Sequence, residues 1–135
     1  RVTLVRETQF GQRLPATGGF VPPSIPGHSP DIGLKFDPQH ARSLLAQAGF
    51  PDGIGFPQID WIHGRGSTNE RVVPFIQKSW EEHLNIKLAP QGLDWMEFKD
   101  RLDDNPANIT LIGWSADYRD PDNFLRVVFH CKEGI

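Results

Sequence analysis

The densest gathering of chemically useful side chains is the run Gly113-Trp114-Ser115-Ala116-Asp117-Tyr118-Arg119-Asp120-Pro121-Asp122. An indole and a phenol offer apolar walls with polar tips, a serine offers a hydroxyl, and three carboxylates stand close together. A carboxylate there can hold an ammonium group through a charge-assisted hydrogen bond. A plainer use competes: Asp120-Pro121 caps the helix that follows, and Asp117 anchors the turn. Asp117, Asp120 and Asp122 also offer hard oxygen ligands to a metal. Their spacing lacks the twelve-residue loop and closing glutamate of an EF-hand, and Pro121 interrupts it. Paired carboxylates for hydrolysis could be drawn from Asp94, Asp117 and Asp120, but nothing marks one of them as a proton donor.

Outside this run the signals are thinner. His28, His40, His63, His83 and His130 show no metal-ligand spacing and read as surface or loop residues, with His63 alone placed where a ligand could reach it. Gly64-Arg65-Gly66-Ser67 precedes a helix and has the look of an anion cradle, but lacks the P-loop lysine and the dinucleotide glycine pattern. Cys131 is the single cysteine. It excludes an intrachain disulfide and a thiolate metal cluster, and without a partner set it reads as a small side chain rather than a nucleophile. Trp80 falls on a helical apolar stripe and belongs to a core, whereas Trp61, Trp95 and Trp114 lie near strand ends and could line a pocket. Asn108-Ile109-Thr110 matches a glycosylation sequon but opens a core strand, which argues against its use.

The elements that must position these residues follow from periodicity and punctuation. Val2, Leu4 and Val5 begin a short helix that stops at Gly11. From Leu14 to Pro30 the prolines and glycines break any regular pattern, and Phe20, Val21 and Ile25 favour a packed strap over a free linker. Asp37-Pro38 starts a helix through Ala41, Leu44, Leu45 and Ala48 that ends at Gly49. A turn-rich loop leads to a strand over Gln58 to His63. Ser67 and Glu70 have capping-box spacing for a helix through Val72, Ile76, Trp80 and Leu84, with Pro74 shifting its start or kinking its first turn. A strand around Ile86 to Gly92 follows, then a second capping box at Asp94 and Glu97 with a helix to Leu102. Ile109 to Trp114 makes a third strand, and a last helix follows Pro121.

Strand–helix alternation from Gln58 onward predicts an α/β fold with a mainly parallel sheet and flanking helices. Ligands in such sheets sit beyond the carboxyl ends of the strands, which selects the loops His63–Ser67, Gln91–Asp94 and Trp114–Arg119. The 135 residues suit one domain, and 38% hydrophobic with 23% charged side chains is a globular composition. A net charge of −3 without a basic run argues against nucleic-acid binding. No apolar run has the length of a transmembrane helix. The opening Arg1-Val2-Thr3-Leu4-Val5-Arg6 reads like the interior of a longer protein, so the chain is expected to be an excised piece.

Taken in order, these residues resemble the family 5 extracellular solute-binding proteins, which include the oligopeptide- and dipeptide-binding proteins of ABC importers. Pro22-Pro23 with Pro26-Gly27 is similar to the family's proline-rich approach. Asp37-Pro38, Ala41, Leu44-Leu45, Ala48-Gly49-Phe50 and Asp52-Gly53 resemble its next segment. Trp80, Leu84 and Ile86 follow, with Asn85 where a glycine is usual, then Trp95 and Phe98, and then Gly113 to Pro121. The resemblance implies one lobe of a type II periplasmic-binding-protein-like fold. It spans residues 1–135, with a helix and strap over 1–36 and an α/β core over 37–135.

It also implies Asp117 as the anchor of a ligand ammonium group, with Trp114 and Ser115 lining the cleft. Tyr118, His63 and Trp95 complete the candidate ligand-binding set. Leu111 cannot meet a ligand carboxylate, so the far end of a ligand stays unassigned. The implied partners are a small peptide or other small solute, a second lobe of the same protein, and the membrane subunits of an ABC transporter. Location would be periplasmic or extracellular, with a lipid anchor as an option; no cofactor, catalytic residue or metal is implied. A sensory domain of the same fold in a signalling protein is the alternative, and a metal-assisted hydrolase the third reading.

Overall fold

A computed structural model describes residues 1–132 and 134. They form two compact units, one of Thr3–Arg13 with Asp37–Ile112, the other of Arg1–Val2 with Leu14–Phe36 and the described residues from Gly113 onward. This differs from the expected division into 1–36 and 37–135. The first helix packs with the sheet, and the strap packs with the chain from Gly113 onward.

The first unit holds the sheet. β1 (Asp60–Gly64) lies between β2 (Ala89–Leu93) and β3 (Ile109–Leu111), all parallel, with Ile62 opposite both Gln91 and Thr110. Parallel neighbours cannot be joined by a tight hairpin. α3 (Asn69–Leu84) therefore links β1 to β2, and α4 (Trp95–Asp104) links β2 to β3. Side chains alternate across a strand, so β1 feeds a separate core on each face. Trp61 joins Val73, Ile86 and Leu88, with Leu45, Ile76, Trp80 and Leu84 packed around them. Ile62 joins Leu93 and Phe98, with Leu102 and Ala107 beside them. Trp61 is thus a core residue, 1% exposed, and not a pocket wall.

Local chemistry sets the boundaries. Asp37 caps α2 (Pro38–Gln47) as expected, its Oδ1 accepting the His40 N–H at 2.9 Å. Neither capping box forms. Thr68 rather than Ser67 precedes α3, without a side-chain cap, and the Asp94 carboxylate turns to Arg65 instead of its own helix. α3 runs through Pro74 one turn in, where the lost hydrogen bond falls near the helix end. It closes on Asn85 in the left-handed conformation, φ +56°, which asparagine tolerates better than most residues. The Asn85 side-chain amide then donates to the Asp52 carbonyl at 3.0 Å, a bond that a glycine in this place would lack. Asn108 of the sequon accepts the Asp60 N–H at 2.9 Å, so its side chain is part of the sheet's entry. β3 stops at Leu111, short of the expected Trp114.

α1 (Val2–Gln9) ends where Phe10 and Gly11 take positive φ. The Thr8 carbonyl accepts Arg71 Nε–H at 2.8 Å, and the Arg71 guanidinium lies 5.0 Å from the Phe10 ring centroid. That cation–π contact fastens the end of α1 to α3.

Candidate functional site

In the sheet unit, the carboxyl ends of β1 and β2 are tied together. Arg65 donates its backbone N–H to the Leu93 carbonyl at 2.8 Å and Nε–H to the Gly92 carbonyl at 3.0 Å. Its Nη1 faces the Asp94 carboxylate at 3.4 Å. The arginine of the supposed anion cradle is therefore occupied by neighbouring backbone and an acid. His63 was expected on the rim at the end of its strand, within a ligand's reach, but lies inside β1, 7% exposed. Both faces of β1 are covered, and the ring lies beside Gly92, where an added methyl would come within 3.0 Å of it. Trp95 opens α4 as a residue 65% exposed, its ring centroid 6.0 Å from that of Phe98.

Trp114, Ser115, Asp117 and Tyr118 belong to the other unit, which is built from the strap, the loop after Gly113 and α5 (Asp122–Phe129). The strap is held by backbone-directed contacts, as a segment without regular structure must be. Arg1 spans the Ala16 and Leu34 carbonyls at 2.9 and 2.7 Å. The His28 ring bonds the Val21 carbonyl at 2.7 Å, and Ile25 is buried. Phe20 lies 4.2 Å from Phe129, centroid to centroid. The Arg119 guanidinium grips the Ser24 carbonyl with two N–H groups, Nε at 3.0 Å and Nη2 at 2.8 Å, which ties the candidate loop to the strap.

Within the loop the aspartates have separate duties. Asp120 Oδ1 accepts the Asp122 N–H at 2.8 Å and so performs the capping role. Asp122 takes Arg126 Nε and Nη2 at 2.7 and 2.8 Å in a two-pronged pair, and the Tyr118 hydroxyl at 2.7 Å. Asp117 does not anchor the turn with its side chain. Its backbone N–H reaches Asn123 Oδ1 at 3.3 Å, and among the described residues no hydrogen bond or ion pair engages its exposed carboxylate. The three carboxylates do not converge. Among the described residues no group of three or more His, Cys, Asp or Glu side chains could hold a metal ion.

The Arg126 hydrogen bond, then that of Tyr118, lowers the Asp122 pKa from 3.8 to about 2. A depressed carboxylate contributes stability that is present above its unfolded value and lost as pH falls through the folded one. The Tyr118–Asp122–Arg126 arrangement should therefore stay whole above pH 4 and loosen on acidification toward pH 2. Arg126→Ala is expected to raise the Asp122 midpoint toward 3.8, read by a carboxyl-carbon NMR titration. An unmoved midpoint would remove Arg126 as the cause.

Asn123 was not singled out by its sequence. It is 1% exposed, and its Oδ1 also accepts the Trp114 indole N–H at 2.7 Å. The available signal was an asparagine, a poor helix former, in the first turn of a helix whose other residues are apolar except Asp122 and Arg126. Ser24 carried no signal, because its contribution is a main-chain carbonyl.

Comparison with known proteins agrees with this architecture. Heme-binding protein A of Haemophilus influenzae is 31% identical over 110 residues, 78% of this chain and 20% of that protein. The glutathione-binding protein GsiB of Salmonella choleraesuis is 31% identical over 134 residues, 96% of this chain and 25% of that protein. The crystal structure of a periplasmic oligopeptide-binding protein, OppAIV of Borrelia burgdorferi, superposes with a TM-score of 0.81 at 28% identity. That match covers 93% of this chain and 25% of the other. The chain thus spans a fifth to a quarter of the length of these relatives, and its α/β fold is that of periplasmic binding proteins. Residues 1–134 match the family described as bacterial extracellular solute-binding proteins, family 5 Middle, and the chain belongs to that family.

Proposed function

We propose that these 135 residues supply one ligand-binding lobe of a longer solute-binding protein. It would serve an ABC importer outside the cytoplasmic membrane and deliver short peptides without turning them over. The observation that carries the reading is the Asp117 carboxylate, exposed and unengaged among the described residues. The loop that bears it is held by Asn123 and, through Arg119, by the strap. A carboxylate on a fixed loop suits a peptide ammonium, since little ordering cost remains when the ligand arrives. Trp114 and Ser115 would line the ligand beside it, with Tyr118 farther along the loop. Trp95 belongs to the sheet unit, where it is exposed. His63, buried in β1, would act only by supporting its strand. The relatives support the peptide class: the names of two of them specify an oligopeptide and glutathione, both with a free amino group.

Calorimetry on the longer protein tests this with short alanine peptides, free or acetylated at the amino terminus. Acetylation and Asp117→Ala should each weaken binding by about tenfold or more, equivalent to at least ~1.4 kcal/mol. Equal affinity for free and acetylated peptides would take Asp117 out of the site. Binding of hemin alone would assign the lobe a different ligand class.

A further inference from the structure

Asn123 stands at the second position of α5 and is buried. Its Oδ1 accepts two hydrogen bonds from the candidate loop, one from the Trp114 indole at 2.7 Å and one from the Asp117 backbone at 3.3 Å. The indole nitrogen is a donor only, so the amide atom facing it must be oxygen and the side chain cannot be turned over. That orientation leaves Nδ2 buried without a hydrogen-bond partner among the described residues. An unpaired buried amide donor is unfavourable, and leucine, of similar size, would carry no such group. Asparagine is also a weaker helix former than leucine. Leucine would remove that orphan but would also take the acceptor from the Trp114 indole and the Asp117 amide, so what asparagine contributes here is the oxygen.

We propose that Asn123 is the positioning residue of the ligand loop. Its carbonyl sets the plane of the Trp114 indole and the direction of the backbone at Asp117, and through them the place where the Asp117 carboxylate is presented. One oxygen with two lone pairs couples the apolar wall to the charged anchor. This rests on the reading of Asp117 as ammonium anchor, because the loop's geometry matters to affinity only if the loop binds.

The test uses the longer protein with nitrogen-labelled tryptophan and a pool of unblocked alanine di-, tri- and tetrapeptides. Asn123→Leu should move the Trp114 indole N–H resonance to its unbonded position and speed its exchange with solvent. Affinity for the pool should fall about tenfold. Asn123→Asp keeps an acceptor, so the bonded indole signal should persist and affinity recover toward the parent. Trp114→Phe combined with Asn123→Leu should be no weaker than the worse single variant within about twofold, since residues acting as one unit are not additive. An unmoved indole signal in folded Asn123→Leu overturns the proposal, as does a displaced signal with full affinity. Should Asn123→Leu fail to fold, Asn123→Asp decides, and loss of the bonded indole signal there overturns it. Asp117→Ala separates the two readings. Affinity unaffected by Asp117→Ala sinks the anchor and the positioning role that rests on it, while affinity lost with it but retained in Asn123→Leu sinks only the positioning role.

Discussion

Phe98→Ala is expected to lower the unfolding free energy of the chain by about 3–5 kcal/mol, the range for truncating a buried phenylalanine. Phe98 is 1% exposed and packs with Ile62, itself fully buried, and Leu93, with Leu102 and Ala107 alongside. This cluster covers one whole face of the central strand. Its members are few, so relaxation can close only part of the cavity that the ring would leave. Domains of this size have only about 5–15 kcal/mol in hand, so the loss takes a large share of the total. The cluster also underlies the tied ends of β1 and β2, because Phe98 Cδ1 lies 3.9 Å from where a side chain on Gly64 would begin. Urea unfolding of parent and variant measures the effect as a shifted midpoint at constant slope. Phe98→Leu should lose less than about 1.5 kcal/mol, since the volume is largely kept. A loss below about 1 kcal/mol for Phe98→Ala would mean that this face is not a packed core.

Gly18→Ala is expected to be the most damaging change in the strap. Gly18 is buried at φ +71°, and a methyl there would sit 2.0 Å from the Ser29 carbonyl oxygen. The obstacle is backbone, so no rotamer change relieves it. Gly33 faces the same restriction, its would-be methyl 2.1 Å from the Gly18 oxygen. The left-handed conformation costs an alanine roughly 1–2 kcal/mol, and displacing packed backbone adds about 1–3 kcal/mol. Gly11→Ala is the matched control: φ is +73°, yet nothing lies within 4 Å of the added methyl. Gly18→Ala should therefore exceed Gly11→Ala by about 1–3 kcal/mol in denaturant unfolding. It should also speed hydrogen exchange at the Asp117 amide, because the strap that Gly18 shapes carries the Ser24 carbonyl gripped by Arg119. Equal losses for the two glycines would assign the whole effect to φ and none to the crossing.

Much of the architecture was legible in one dimension. Strand–helix alternation is a local pattern, and it led to the parallel sheet because parallel strands require crossovers. The Asp37 cap forms within a few residues and was readable for that reason. The capping boxes at Ser67 and Asp94 had the same local form and did not close. Arg65, remote in sequence from Asp94, drew that carboxylate away. His63 read as a residue of the ligand rim because it closes the expected strand at its carboxyl end. Its burial depends on Gly92, which only strand pairing brings beside it.

The Gly113–Asp122 run is where sequence and structure contributed most differently. Composition and order marked it as a candidate site, since its residue types can grip an amine and wall off a ligand, and the family resemblance implied Asp117 as the anchor. They could not say which of Asp117, Asp120 and Asp122 was available, because all three are the same chemical group. Tertiary structure decided that by giving Asp120 a backbone N–H and Asp122 an arginine and a tyrosine, while Asp117 lends only its backbone to Asn123. It also decided what holds the loop in place: a buried asparagine amide and the carbonyl of a strap residue, Ser24. A main-chain carbonyl is present at every position and carries no letter in the sequence, so its role is defined only when the fold brings a donor to it.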